Sequence, residues 1–223
     1  MIVHCLFEQS GTFKNEFKKL GFEAYDYDIE NQFGQTDYQI DLFAEIRKGA
    51  ERERSIFDNF TPDDLIIAFF PCVRFTDMVL LTFIGGHAKG WSVEQKLKRS
   101  KELGLEQGLF YDLFCSLFLI CIERNLQLIV ENPYSDRSYL TMHFPIKPAI
   151  IDYDRRILGD KWKKPTQYWF LNIDVKNNKV MRKSNAFTFG YRDKPKDIKH
   201  VHGIDRSLIE PEYAKNFIKK YIL

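Results

Sequence analysis

The sequence lacks the features that mark several classes of protein. Its four cysteines include no Cys-x-x-Cys pair, which argues against a structural zinc site. Unpaired thiols and the absence of a secretory signal predict a reducing, cytoplasmic location. The most apolar segment, residues 113–122, is much shorter than the ~20 residues that a membrane span needs, so it predicts a buried helix. No internal repeat or low-complexity tract is present, which excludes a repeat architecture.

The composition is typical of a single globular domain over residues 1–223. Hydrophobic residues make up 44% and aromatic residues 15% of the chain, which is enough for one sizeable core and too apolar for a disordered chain. From residue 147 onward, 18 lysines and arginines face 9 acidic residues, whereas the first 146 residues hold 15 against 22. This asymmetry favours contact between the C-terminal third and nucleic-acid phosphates, although a solvated basic surface has the same pattern.

A cysteine follows the clearest strand pattern in the chain. Residues 64–70 form an apolar, β-branched run typical of a buried parallel strand, and Pro71 ends it. Cys72 therefore falls at the carboxyl end of a strand, the edge at which open α/β sheets bind ligands, and its thiol is a candidate nucleophile. Packing in the core is the alternative, because free cysteines are among the most buried residues.

The N-terminal segment has the pattern of a cradle for a nucleotide-like cofactor. A predicted strand over residues 2–7 is followed by a turn with small residues, 8–13, and by an amphipathic helix through Leu20. Such a helix directs free backbone N–H groups toward the oxygen atoms of a ligand.

Two acidic residues follow the next strands. A second predicted strand, 22–28, ends at Asp28, which follows Gly11 by 17 residues, near the ~20 at which a carboxylate commonly binds ribose hydroxyls. Asp26 is the reserve candidate. A short third run ends at Asp41, a candidate acceptor for an adenine amino group. Each acid has the alternative of a solvated strand end or a helix cap.

A glutamate follows another apolar run. Residues 126–130 predict a buried strand, and Glu131-Asn132-Pro133 comes directly after it. Cys72 and Glu131 are therefore expected at the same edge of one sheet. A capping or salt-bridged glutamate is the alternative.

In chain order these segments resemble the motifs of the DNA cytosine-5 methyltransferase family. Residues 7–13 are similar to its first cofactor motif, and residues 71–76 to its Pro-Cys-x-x-Phe-Ser/Thr nucleophile loop. Asp28 and Asp41 fall where its ribose and adenine acids fall, and Glu131-Asn132-Pro133 is similar to its Glu-Asn-Val/Pro motif. The ordered pairing of the cysteine and glutamate motifs is the specific part of the resemblance.

The resemblance implies a Rossmann-like S-adenosylmethionine-dependent methyltransferase fold of class α/β, with a mostly parallel sheet and helices on both faces. It implies that Cys72 adds to carbon 6 of an extruded cytosine while Glu131 polarises the ring. The cofactor-binding residues would be Phe7, Glu8, Ser10, Gly11, Thr12, Asp28, Ile29, Asp41, Leu42 and Pro71. The substrate-binding residues would be Asn132, Arg74, Lys163 and Lys164, with Arg74 also favouring ionisation of the thiol.

Three C-terminal segments complete the comparison with the family. Its Gln-x-Arg-x-Arg strand has its nearest counterpart in residues 150–156, which lack the glutamine, so Arg156 or else Arg155 is the candidate catalytic arginine. Residues 163–170 are similar to a Lys-Pro-Thr strand of smaller, phage-like relatives. Residues 206–222 resemble the closing helix that packs beside the first motif.

The chain has little room for target recognition. The family adds a sizeable recognition domain, whereas here a short basic region, 161–202, takes its place. The resemblance therefore implies a minimal DNA-modifying enzyme or a subunit that borrows recognition from a partner protein. An inactive methyltransferase-fold binding protein, and an enzyme acting on RNA or a free pyrimidine nucleotide, are the alternatives. The glycine-rich loop 84–90 is either a lid over the base or a plain connector, and the charged run 95–106 that follows predicts a polar helix.

Overall fold

One seven-stranded sheet organises the chain. The structure, a computed structural model, describes residues 1–76, 81–84, 88–176 and 208–223. The strands are β1 (Ile2–Leu6), β2 (Glu23–Asp28), β3 (Tyr38–Gln39), β4 (Leu65–Phe69), β5 (Gln127–Pro133), β6 (Ile150–Asp152) and β7 (Thr166–Leu171). Their order is β3-β2-β1-β4-β5-β7-β6, and all neighbouring pairs are parallel except those that β7 makes with β5 and β6. The predicted mostly parallel α/β sheet is confirmed.

Helices cover both faces of this sheet. They are α1 (Thr12–Lys19), α2 (Leu42–Ala50), α3 (Leu81–Ile84), α4 (Val93–Glu123), α5 (Tyr139–His143) and α6 (Pro211–Phe217), which continues as a π-helix over Ile218–Ile222. Because successive side chains of a strand point to opposite faces, Ile66 and Leu128 join the core beneath α2 and α4, whereas Leu65 and Ile129 join the core beneath α1 and α6. Burial on both faces explains why the strands are apolar throughout.

A single long helix, α4, contains two segments that were predicted as separate helices. The polar run 95–106 and the apolar run 113–122 both lie in α4, which is 31 residues long. Ser92 begins it with a reciprocal capping box, in which Ser92 and Gln95 each accept the other's backbone N–H. Polar residues at the beginning and apolar residues farther on do not divide the helix, because only its second half packs firmly against the sheet.

Among the described residues, α4 alone is long and apolar enough to cross a membrane by length and composition, and one third of its apolar window is buried in the fold. Phe114 and Leu117 lie fully inside the core beneath α2 and α4. Leu119 and Ile122 of the same helix are 62% and 51% exposed, so the core covers one face of the apolar window.

The C-terminal strands differ from their predicted bounds. The segment 150–156 is a strand only as far as Asp152, and Arg155–Leu158 forms a 3-10 helix. The strand expected over 163–170 begins at Thr166. The closing helix lies where it was expected, since α6 packs on α1 with Phe217 and Phe13 in edge-to-face contact at 6.0 Å.

The strand order reverses between β1 and β4. Chain connections leave these two neighbouring strands in opposite directions, which opens a crevice at their carboxyl ends. Such a switch point is where doubly wound α/β folds bind ligands. The loops that follow β1 and β4 are the ones that contain Gly11 and Cys72.

Candidate functional site

A cavity of about 630 Å³ occupies this crevice. It lies at the carboxyl ends of β1, β2, β4 and β5, and it is lined by Phe7, Glu8, Gln9, Ser10, Asp28, Ile29, Phe33, Asp41, Leu42, Phe43, Phe69, Phe70, Pro71, Cys72, Glu131, Pro133, Lys164, Leu208 and Ile209. Most predicted site residues are in this set, so the fold brings together side chains that are far apart in the sequence. The volume suits a nucleotide-sized ligand together with a base.

The loop after β1 has an unusual backbone. Phe7 has a φ of 60° and Gly11 a φ of 66°, left-handed values that cost a bulky residue such as phenylalanine free energy. The Phe7 ring packs between Phe43 and Phe70 at centroid distances of 5.6 and 5.3 Å, which holds the strained turn in place. Thr12 begins α1 after this loop, and neither Gly11 nor Thr12 lines the cavity.

Glu8 caps the helix that follows. Its carboxylate accepts hydrogen bonds from Phe13 N at 2.7 Å and Lys14 N at 3.3 Å, satisfying N–H groups of the first turn of α1. Burial raises the pKa of this carboxyl to about 7, although the two backbone hydrogen bonds oppose the shift. The predicted cofactor residue Glu8 is therefore also a structural cap.

The buried Glu8 predicts a pH-dependent stability. Its pKa of about 7 lies above the 4.5 of an unperturbed glutamate, so its stabilising contribution is complete below pH 4.5 and is lost as the pH rises through 7. We expect the free energy of unfolding of the native protein to fall relative to that of Glu8→Gln by up to ~3 kcal/mol over this window. Urea unfolding of both proteins from pH 5 to 8 measures the difference.

Comparing the two proteins removes the contribution of other groups. Burial lowers the pKa of His4 to about 4, which gives an opposite trend, but His4 is present in both. Unfolding curves that keep a constant separation at all pH values would contradict the assignment to Glu8.

The two predicted acids Asp28 and Asp41 line the cavity, and the reserve candidate does not. Asp28 ends β2 and accepts the Glu30 N–H at 2.9 Å, while burial raises the pKa of its carboxyl. Asp41 caps α2 by accepting from Phe43 N and Ala44 N at 3.0 and 3.1 Å, so the helix-cap alternative holds for it. Asp26 does not line the cavity and pairs with a buried lysine at 2.9 Å.

The nucleophile loop is fixed from both sides. Asn132 Nδ2 donates a hydrogen bond to the Phe70 carbonyl at 2.9 Å, and both groups are buried. Beyond the cysteine, Phe75 N donates to the Cys72 carbonyl at 2.9 Å, closing a tight turn. Asn132 thus orients the loop, whereas it was predicted to bind substrate, and it does not line the cavity. Phe69 and Glu131 are register partners in β4 and β5, which places the Cys72 loop beside Glu131.

Cys72, Glu131 and Lys164 form the charged end of the cavity. Burial and the Glu131 carboxylate raise the pKa of the Cys72 thiol, and the Lys164 ammonium opposes this shift. Burial and the Arg155 guanidinium lower the pKa of Lys164, against the attraction of Glu131 and Cys72. Glu131 is 7% exposed, and its Oε1 accepts no hydrogen bond from the described residues. An acceptor oxygen left without a donor inside a cavity is poised for a ligand.

The fold imposes the position of Lys164. Its φ of 21° is strained for a lysine, and Thr166 Oγ1 donates to its carbonyl at 2.9 Å. Because β7 runs antiparallel to β5 with Thr166 opposite Pro133, the residues before β7 lie at the carboxyl end of β5. Lys164 was predicted as a phosphate-contacting substrate residue, and the structure places it inside the cavity beside the thiol.

The predicted arginines and Lys163 lie outside the cavity lining. Arg74 forms an ion pair with Glu106 of α4 at 2.5 Å, so Lys164, and not Arg74, is the cation beside Cys72. Arg156 pairs with Asp154 at 2.7 Å on the surface.

Arg155, the other candidate arginine, is fully buried. It pairs with Asp160 and lies over the Tyr213 ring at 4.5 Å. It is the arginine whose charge reaches Glu131 and Lys164.

Several lining residues were not predicted from the sequence: Gln9, Phe33, Phe43, Phe69, Phe70, Pro133, Leu208 and Ile209. Those next to predicted motifs could have been predicted from their position, because residues adjacent to a strand end lie at the same edge of the sheet. Leu208 and Ile209 had a signal only in the family resemblance, because they belong to the segment 206–222 that was expected to pack beside the first motif.

Much of the predicted DNA-contacting region lies outside the described residues. The basic region 161–202 is described as far as residue 176, and the predicted lid 84–90 lacks residues 85–87. No family model matches the chain, and no curated protein matches it with significant sequence similarity.

Proposed function

We propose that this protein is an S-adenosylmethionine-dependent methyltransferase that modifies carbon 5 of cytosine in DNA through a covalent intermediate on Cys72. The observation that carries the proposal is that Cys72 and Glu131 stand side by side in one cavity with Asp28 and Asp41. A nucleophile and an acid at adjacent strand ends, next to a nucleotide-sized crevice, suit addition to a pyrimidine ring better than any role in packing.

The residues present fit the proposed cofactor. Asp28 offers a carboxylate at the end of β2, where ribose hydroxyls are bound in related architectures. Ile29, Phe33 and Phe43 supply apolar walls suited to a purine ring. When bound, S-adenosylmethionine would supply an electrophilic methyl group on its sulfonium sulfur.

The chain's own residues would activate the base. Carbon 5 of cytosine becomes nucleophilic once the Cys72 thiolate adds to carbon 6 and Glu131, in its protonated form, donates a proton or a hydrogen bond to ring nitrogen 3. After methyl transfer, loss of the proton on carbon 5 and expulsion of the thiolate restore the aromatic ring. The Lys164 ammonium favours ionisation of a thiol whose pKa is otherwise raised by burial and by Glu131.

DNA is the substrate that the basic C-terminal third favours. The positive balance after residue 146 supplies phosphate contacts, and a base inside a duplex must be extruded to reach Cys72. With only a short basic region for recognition, the protein would have a short or permissive target, or would take its specificity from a partner chain. Such an enzyme would mark or protect DNA in a cytoplasmic, phage-like or mobile-element setting.

The test is methyl transfer from labelled S-adenosylmethionine to DNA, RNA and dCMP in parallel. Label in DNA at cytosine carbon 5 supports the proposal. Label in RNA or dCMP alone would assign the same chemistry to another substrate, and cofactor binding without any transfer would indicate an inactive binding protein.

Cofactor binding gives an independent prediction. We expect Asp28→Ala to weaken the binding of S-adenosylhomocysteine by ~1–3 kcal/mol, because ribose hydroxyls are left without an acceptor. Isothermal titration calorimetry measures the affinity. The matched control is Asp63→Ala, an exposed aspartate at the opposite edge of the sheet. Equal affinities for a folded Asp28→Ala and for the control would remove Asp28 from the site.

A further inference from the structure

A buried cluster of charges lies beside the cavity, behind its first loop. Lys14, in α1, is 3% exposed, and Asp26, in β2, is fully buried. The Lys14 ammonium nitrogen is 2.9 Å from Asp26 Oδ1 and 3.1 Å from Asp37 Oδ2, and it donates to the Gln35 carbonyl. These three acceptors use all three donors of the ammonium group. Buried ions are tolerated only when they are paired in this way.

The two carboxylates of the cluster also join the ends of one loop. Asp37 N donates to Asp26 Oδ1 at 2.7 Å, and Asp26 N donates to Asp37 Oδ2 at 3.1 Å. This reciprocal pair connects β2 to the residue just before β3, and closes the loop 29–37 between them. Without the ammonium, two carboxylates would face each other at close range, and like charges would push the loop ends apart.

The same loop lies against the turn that begins α1. A Cβ built on Gly11 would come within 3.2 Å of Gln35 Cβ, so the loop lies so close to the glycine that a larger residue would have to displace it slightly. Lys14, one turn farther along α1, donates a hydrogen bond to the Gln35 carbonyl in the loop. The first cofactor loop and the β2–β3 loop are thus joined through α1.

The outer side of this loop is held by contacts that are exposed to water. The side chains of Gln39 and Gln9 donate hydrogen bonds to the first two residues of the loop, at 2.9 and 3.3 Å. Ile29 and Phe33 line the cavity but are 59% and 38% exposed, so they add little apolar burial. We therefore expect the buried contacts of Lys14 on the inner side to contribute most to the position of Ile29 and Phe33.

We propose that Lys14 is a positioning residue that holds the loop 29–37 closed as the outer wall of the cofactor pocket. The proposal rests on the proposed function for the identity of the ligand, and its effect on the loop is independent of it. A loop already in place spares the ligand the free energy of ordering it. If loss of the ammonium leaves the closed loop populated one tenth of the time, affinity falls about tenfold.

The experiment compares Lys14→Met with Lys18→Met. Methionine keeps an apolar stem but removes the ammonium, and Lys18 is a matched lysine of α1 that lies 4.0 Å from Asp37 with a half-exposed side chain. Hydrogen–deuterium exchange over residues 29–39 reports loop opening without ligand. In Lys14→Met, and not in Lys18→Met, we expect faster exchange over these residues and an affinity for S-adenosylhomocysteine about tenfold weaker. The KM for S-adenosylmethionine should rise in the same variant while kcat is unchanged.

A purely structural role would lower the melting temperature and the active fraction but leave KM and affinity unchanged, and that result overturns the proposal. Native exchange rates in a folded Lys14→Met overturn it as well. If the single variant does not fold, Lys14→Met/Asp37→Asn removes the repulsion as well as the ammonium and is compared with Asp37→Asn alone. If the native protein binds no S-adenosylhomocysteine, the proposed function fails, while the exchange rates still decide whether Lys14 holds the loop.

Discussion

Replacing Cys72 by serine is expected to abolish methyl transfer, by on the order of 10³-fold or more, because a covalent route is lost with its nucleophile. A hydroxyl is far less ionised than a thiol at neutral pH, and Lys164 cannot compensate for that difference. Binding of S-adenosylhomocysteine should be unchanged, since the substitution only replaces the Cys72 Sγ atom by a somewhat smaller oxygen. Steady-state transfer assays and calorimetry on the same preparation measure both.

The cysteine assignment has a direct chemical test. DNA that contains 5-fluorocytosine should form a stable adduct with the native protein, because fluorine cannot leave as the carbon 5 proton does. Cys115→Ser is the matched control, since Cys115 is half-buried on α4 and does not line the cavity. Peptide mapping of the adduct to Cys5, Cys115 or Cys121 would refute the assignment of Cys72.

Glu131→Gln is expected to lower kcat by ~10²–10⁴-fold, the usual contribution of a general acid. Glutamine keeps the size of the side chain and can still donate a hydrogen bond, but it cannot transfer a proton to ring nitrogen 3. Cofactor affinity should remain, because Glu131 lies at the opposite end of the cavity from Asp28. Single-turnover methyl transfer with saturating DNA measures the chemical step.

The control for this prediction is Glu123→Gln, at the end of α4, where the native side chain is more than half exposed and pairs with Arg52. If Glu131→Gln transfers methyl groups as fast as this control, Glu131 is not the acid, and the cavity would have to activate the base through Lys164 alone.

The parts of the site that local sequence patterns determine were predicted well. Apolar runs ended by proline or acid located β4 and β5, although β5 continues through Glu131 to Pro133 instead of ending before Glu131, and parallel pairing placed Cys72 and Glu131 at one edge. Asp28 and Asp41 were found for the same reason. A strand end is a local feature, and parallel strands share their carboxyl edge.

The parts of the site that depend on pairing between distant segments were not predicted correctly. Arg156 was predicted because residues 150–156 are the nearest counterpart of the family's arginine strand, but the strand ends at Asp152 and the arginine is on the surface. The position of Lys164 beside Cys72 follows from antiparallel pairing of β7 with β5, which no local pattern reveals. Lys14 was read as part of an amphipathic helix, since its partners Asp26 and Asp37 come from later segments.

Because β7 lies between β5 and β6, the strands of the sheet cannot pair in the order in which they are synthesised. Among the described strands, β6 pairs with β7 alone, so three residues at the sheet edge have no partner until a later segment has docked. The parallel strands β1 to β5 already enclose Asp28, Asp41 and Cys72, whereas Lys164 arrives with the last strand. A nascent chain that has not reached residue 164 therefore lacks the cation beside the thiol, and until α6 docks it also leaves Leu65 and Ile129 without their cover.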